Sequence, residues 1–152
     1  MRPYVRKMLP NEDVIIFNRI KTAIDNLPNL VLGRDEEGRI IEISCHILAR
    51  AVAKVFGLRY TDGYFCRSYQ HSWVLTNYGN IIDVYPIAVF GGPILIHRGE
   101  NSPARFLYKR KFLTNKFQQP SFQRSVKIIV SWLALNHNLF DCYADRHLLA
   151  QA

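Results

Sequence analysis

Up to Gly57 the apolar residues recur at helical spacing, and after it they alternate. This change of period restricts the fold more than any other feature of the chain. Val14, Phe17, Ile20 and Ile24 mark one face of a helix predicted over Asn11–Leu27. Asn11, Glu12 and Asp13 supply a capped, acidic first turn, and Pro28 closes it. A second helix is predicted from Ser44 to Phe56, with Ile47, Leu48, Ala51, Val52 and Val55 on its buried stripe and Gly57 as its stop. Residues 33–39 between the two are a polar loop. Leu58–Thr61 then reads as a strand ending at an Asp62-Gly63 turn, with Tyr64–Tyr69 as a second piece. His71–Leu75 and Ile81–Tyr85 are strands joined by a hairpin connection at Asn77–Asn80. Pro86 and Gly91-Gly92-Pro93 end the sheet, and Ser121–Asn136 is a third helix. Helix, helix, strands, helix is the order of an α+β fold with an antiparallel sheet, not of a doubly wound parallel one.

Composition agrees with one globular domain over residues 1–152. Of its 152 residues 49% are hydrophobic, and no Gly/Ser/Pro linker divides the chain. No run of about 18 apolar residues is present, which argues against a membrane-spanning helix and a membrane partner. The N-terminus is basic but has no apolar stretch behind it, so a secretory signal is not expected. Three cysteines in such a chain read as reduced thiols and place it in the cytoplasm. The net charge of +8 is concentrated: no acidic residue occurs between Glu100 and Asp141. That stretch holds Arg105, Lys109, Arg110, Lys111, Lys116, Arg124 and Lys127, interleaved with Phe106, Tyr108, Phe112, Phe117 and Phe122. Such a block can track a nucleic-acid backbone, or it can be a solvated face that steers an acidic substrate. No helix-turn-helix, zinc-finger or RNA-recognition signature accompanies it, which favours the second reading.

Three residues point to chemistry. Cys45 falls in the first turn of the second predicted helix, where unpaired N–H groups and the positive dipole end favour a thiolate. Alternation places His71, Trp73 and Leu75 on one strand face and Ile81, Asp83 and Tyr85 on one face of the next. A three-residue loop that pairs Thr76 with Asn80 sets His71 diagonal to Asp83, within reach of a carboxylate and an imidazole. An even-length loop would put the carboxylate on the other face. An aspartate within Ile81-Ile-Asp-Val-Tyr also needs a partner, and His71 is the obvious one.

Cys45 opening a helix, then Asp62-Gly63-Tyr64, His71-Ser-Trp73-Val and Ile82-Asp83-Val-Tyr-Pro86, resembles the transglutaminase-like cysteine enzymes over residues 41–90. The resemblance implies a transglutaminase-like/papain-like core in which Cys45 is the nucleophile, His71 the general base and then acid, Asp83 the orienting carboxylate, and Trp73 a substrate-binding wall. It implies acyl transfer or hydrolysis through an acyl-enzyme, on a protein, a peptide, or a small amide or thioester, without cofactor. The papain branch carries a Cys-Gly-x-Cys-Trp signature and an upstream glutamine. Here Cys-His-Ile follows and no glutamine precedes Cys45, which leaves backbone N–H groups, including that of Cys45, as the oxyanion hole. The basic segment 105–127 lies outside the resemblance. The alternative is a non-catalytic module of the same fold that binds nucleic acid or an acidic partner through that segment. Cys66-x4-His71 and Cys142-x4-His147 are a poor match to zinc-ligand spacing, and no metal is expected. His46 diverges from Cys45 by about 100° around the helix and is expected to be exposed.

Overall fold

The computed structural model describes residues 9–28, 31–85, 93–99, 102–113 and 116–149, without the side chains of residue 116 and of 138–149. Helix α1 spans Asn11–Asp25 and α2 spans Cys45–Phe56. A two-stranded hairpin, β1 (Val31–Arg34) and β2 (Ile40–Glu42), lies between them. A five-stranded antiparallel sheet follows, built from β3 (Arg59–Phe65), β4 (Tyr69–Leu75), β5 (Ile81–Asp83), β6 (Ile94–Ile96) and β7 (Tyr108–Arg110) in the order β6-β5-β4-β3-β7. A short helix α3 (Ala104–Leu107) leads into β7, and a 3-10 turn (Lys116–Gln118) into α4 (Pro120–Leu149). This is the α+β class with an antiparallel sheet. No helix among the described residues is long and apolar enough to cross a membrane.

Alternation sorts the sheet into two faces. Val74, Ile82 and Leu95 face α1, α2 and α4 in the main core, with Ile20, Leu48, Val52, Ile129 and Leu133. Trp73, Ile81 and Tyr108 face the other way and pack with Ala104 in a second, smaller cluster. α2 starts and stops where its sequence predicts: Ser44 is the N-cap, its side chain accepting from the Ile47 amide, and Gly57 takes the left-handed conformation (φ 65°) that ends it.

Several boundaries differ from expectation. Pro10, not Asn11, holds the N-cap position of α1, and no side chain caps it. Asp13 instead turns inward, where its carboxylate accepts from Thr76 Oγ1 (2.8 Å) and Asn80 Nδ2 (2.7 Å), fastening α1 to the β4–β5 hairpin. No turn forms at Asp62-Gly63; β3 runs through it and reverses at Cys66–Ser68, where Cys66 and Arg67 carry the positive φ. Of the predicted polar loop 33–39, Gly33 and Arg34 end β1 and residues 35–39 form the tip of the β1–β2 hairpin, where Glu36 accepts from the Ser121 amide (2.8 Å) and hydroxyl (2.6 Å), capping the start of α4. α4 continues past Asn136 because no glycine or proline follows to stop it. The sheet gains β6 and β7 beyond the predicted end at Pro93, whereas Pro86, Gly91 and Gly92 lie outside the described residues.

At Gly63 the β7 backbone lies close against β3. A Cβ there would stand 2.0 Å from the Lys109 carbonyl oxygen and 2.8 Å from the Trp73 ring. Gly63→Ala should therefore destabilise the fold by about 2 kcal/mol or more in urea denaturation, as overpacking does. A loss within experimental error would contradict this register of β7.

Candidate active site

The β4–β5 hairpin has the register that the odd-length loop requires. Val74 pairs with Ile82 and Leu75 with Ile81, and the Thr76 amide donates to the Asn80 carbonyl at 2.9 Å. Asp83 consequently shares a sheet face with His71 and lies diagonal to it. Asp83 Oδ2 accepts from His71 Nε2 at 2.8 Å and from the Tyr108 hydroxyl at 2.7 Å, while Oδ1 accepts from the Tyr85 amide at 3.3 Å. With Nε2 committed to the carboxylate, the ring keeps Nδ1 for another partner.

Cys45 is the first residue of α2, buried at the helix N-terminus. The Leu48 amide donates to the Ser44 carbonyl and the Ile47 amide to the Ser44 hydroxyl, so the Cys45 and His46 amides precede the helical ladder. β5 pairs with β4 only at Val74 and Leu75, so His71 and Ser72 lie beyond the end of that ladder, where the first turn of α2 meets them. Burial pushes the Cys45 thiol up, but hydrogen bonds and positive charge from His46 and His71 outweigh it and lower it to about 6. Burial likewise pulls His71 down, but its hydrogen bonds to Asp83 and Cys45, and their negative charge, raise it to about 9. Between these values the pair is held as thiolate and imidazolium.

His46 departs from expectation. It is half-buried rather than exposed, and its Nδ1 lies 2.7 Å from Ser72 Oγ. The Ser72 hydroxyl donates to Asp62 Oδ1, so its oxygen is the acceptor for His46 Nδ1–H. Asp62 is gripped in turn by Arg50, NH1 to Oδ1 at 3.0 Å and NH2 to Oδ2 at 2.8 Å. Arg50 also donates to the His46 carbonyl at 3.2 Å and lies over the Tyr60 and Phe117 rings, 4.4 and 4.0 Å from their centroids. Cys45 thus sits between two imidazoles, each braced by an aspartate, one directly and one through a serine. Adjacent helical residues do diverge, but in the direction that His46 takes it meets the buried Ser72 and, through it, Asp62. The one signal in the sequence was the alternation that puts Ser72 on the face opposite His71; that Asp62 lies across from it follows only from the β3–β4 register.

Trp73 is buried and stacks near His71 (centroids 6.3 Å, planes 27° apart), with Tyr108 edge-on at 5.2 Å. The Trp73 ring lies nearly parallel to the imidazole with almost no exposure. Tyr108 was legible only as one aromatic of the basic segment. Burial first, then the Asp83 charge, raises its phenol well above the ordinary range, so it stays protonated and donates to that carboxylate. Among the described residues no cluster could hold a metal. Cys66 is a free thiol on the exposed β3–β4 turn, and the side chains of Cys142 and His147 lie outside the described residues.

No protein-family model, curated protein or solved structure matches the chain. The site rests on its own geometry.

Alkylation by iodoacetamide should detect the lowered thiol directly. The rate at Cys45 should rise through a midpoint of about 6, and His71→Ala should move that midpoint upward by about one pH unit or more, toward an ordinary thiol. A Cys45 profile that coincides with an ordinary thiol in the wild-type protein would refute the ion pair.

Proposed function

We propose that this protein is a cysteine-dependent acyltransferase or hydrolase of transglutaminase-like architecture, with Cys45, His71 and Asp83 as its catalytic residues. The observation that carries the reading is the 2.8 Å contact between His71 Nε2 and a fully buried Asp83, beside a helix-N-terminal thiol, Cys45, whose pKa is lowered in part by that same His71. That combination matches the demands of nucleophilic thiol chemistry: an activated sulfur, a proton carrier, and an orienter for the carrier.

The steps follow from the protonation states. The Cys45 thiolate attacks the carbonyl of an amide or thioester, a C–S bond forms, and the carbonyl π pair moves onto oxygen. The Cys45 and His46 amides, at the positive end of α2, are placed to receive that oxyanion. As the intermediate collapses, the bond to the amine or thiol breaks, and the His71 imidazolium hands its proton to the leaving group. His71, now neutral, takes a proton from water or an amine as it attacks the thioester, and Cys45 leaves as thiolate. Asp83 keeps the ring in one tautomer and stabilises its cationic form, Tyr108 holds Asp83, and Trp73 limits the swing of the ring. Water as acceptor makes the protein a protease or amidase, an amine a transferase. The free thiols Cys45 and Cys66 suit a reducing, cytoplasmic setting.

The test is a covalent one. Incubation with an activated peptide thioester should add one acyl group to Cys45, read as a mass shift of the intact protein, and Cys45→Ala should show neither adduct nor turnover while keeping its circular dichroism spectrum. Turnover that persists in Cys45→Ala would end the proposal. Asp83→Asn should lower kcat by about a hundredfold or more, since the amide can hold the ring in the wrong tautomer. The kcat/KM profile should be bell-shaped: activity falls below about 6, where Cys45 takes up a proton, and above about 9, where His71 loses one.

A further inference from the structure

The basic aromatic segment takes no part in the chemistry above except through Tyr108, yet the fold brings much of it alongside the candidate site. Three adjoining depressions of about 290 to 330 Å³ share Tyr60 and form one groove between α2, β3, the chain after β7, and the start of α4. The inner end of the groove reaches the residues that contact His46, the neighbour of Cys45 in α2. Asp62 lines two of the depressions and is linked through Ser72 to His46, and Phe117, which lines one, packs on the His46 ring at 4.9 Å. Its walls carry Arg50, Lys54, Arg110, Lys111 and Lys127 against the single acid Asp62, which is already neutralised by Arg50. Lys54, Arg110, Lys111 and Lys127 are exposed, and the Lys111 ammonium lies over the Tyr64 ring at 5.2 Å. Phe112, which lines a depression with Arg110 and Lys111, is 86% exposed, an open apolar side chain beside two of these cations.

We propose that this groove holds an acidic stretch of polypeptide carrying an apolar side chain for the Phe112 end, and so delivers the adjoining acyl group to Cys45. The inference rests on the acyl-transfer reading for what happens at Cys45, but the binding itself does not. Charge complementarity selects an acidic occupant and speeds its encounter. The aromatic groups distinguish polypeptide from single-stranded nucleic acid. Base stacking needs a series of open ring faces, whereas Tyr60 and Phe117 already hold the Arg50 guanidinium between them. Of the groove's rings Phe112 is the most open, at 86% exposure against 46% for Tyr60, which suits one apolar side chain rather than a run of bases.

Fluorescence anisotropy with the 152-residue Cys45→Ala chain tests this without turnover. The probes are labelled peptides of about twelve residues, each with one leucine and one phenylalanine and with acidic, neutral or basic remaining positions, together with an oligothymidylate of similar length. The acidic peptide should bind at least about tenfold tighter than the neutral one and weaken as salt rises. Introducing Arg110→Glu and Lys111→Glu together should remove that preference, and Arg110→Gln with Lys111→Gln should reduce it if the double reversal does not fold. Equal binding of the three peptides would overturn the proposal, as would an oligothymidylate that binds tighter than the acidic peptide and loses affinity in the same variants. Iodoacetamide labelling of the wild-type protein separates the two readings. Slow Cys45 labelling with tight acidic-peptide binding defeats the acyl-transfer reading and leaves the groove standing, whereas fast labelling with charge-blind binding defeats the groove alone.

Discussion

A carboxylate removed from water has to find donors within the protein, and Asp83 is fully buried. It is satisfied from three directions, by the ring of His71, the hydroxyl of Tyr108 and the amide of Tyr85. Each donor arrives on a different part of the chain, so this one requirement ties β4, β5 and β7 together. A one-residue slip of β5 on β4 would carry the carboxylate to the helix-facing side and leave His71 without its partner. The register is in turn held from outside by Asp13, which binds Thr76 and Asn80 at the two ends of the hairpin loop. Stability and the arrangement of the site therefore depend on the same pairings.

The second polar arm has a different character. Arg50 and Asp62 form a bidentate pair with little solvent exposure, and the guanidinium is covered by aromatic rings. A buried ion pair adds little net stability over apolar packing, so its interest lies in what it orients. It directs Asp62 to Ser72, fixes the hydroxyl proton, and thereby fixes which nitrogen of His46 carries a hydrogen. Cys45 is left between imidazoles whose orientations are set independently. One of them is held from the Trp73 side of the sheet, the other from the side that packs on α2.

Local rules reached a long way into this fold. Ser44 and Gly57 bound α2 because a hydroxyl cap and a left-handed stop act within a few residues, and the alternation in β4 and β5 sorted His71 and Asp83 to one face for the same reason. The same rules failed where a distant partner changed the outcome. Asp62-Gly63 has turn composition, yet Asp62 is drawn into a strand by Arg50 and Ser72, and Gly63 lets β7 close against it. Asp13 had the position of a helix-start carboxylate and became a buried fastening instead.

What the amino-acid sequence determined by itself was the α+β order of elements, the start and end of the helix that bears Cys45, and the parity that allows His71 to meet Asp83. These depend on periodicity and on neighbours a few residues apart. Only the tertiary structure decided that Tyr108 would close over Asp83, that Ser72 and Asp62 would brace His46, and that part of the basic segment would line a groove leading to the residues around His46. Those outcomes need strands and helices from distant parts of the chain to pack in one specific way, and the side chains involved have no local pattern that distinguishes them from ordinary surface or core residues.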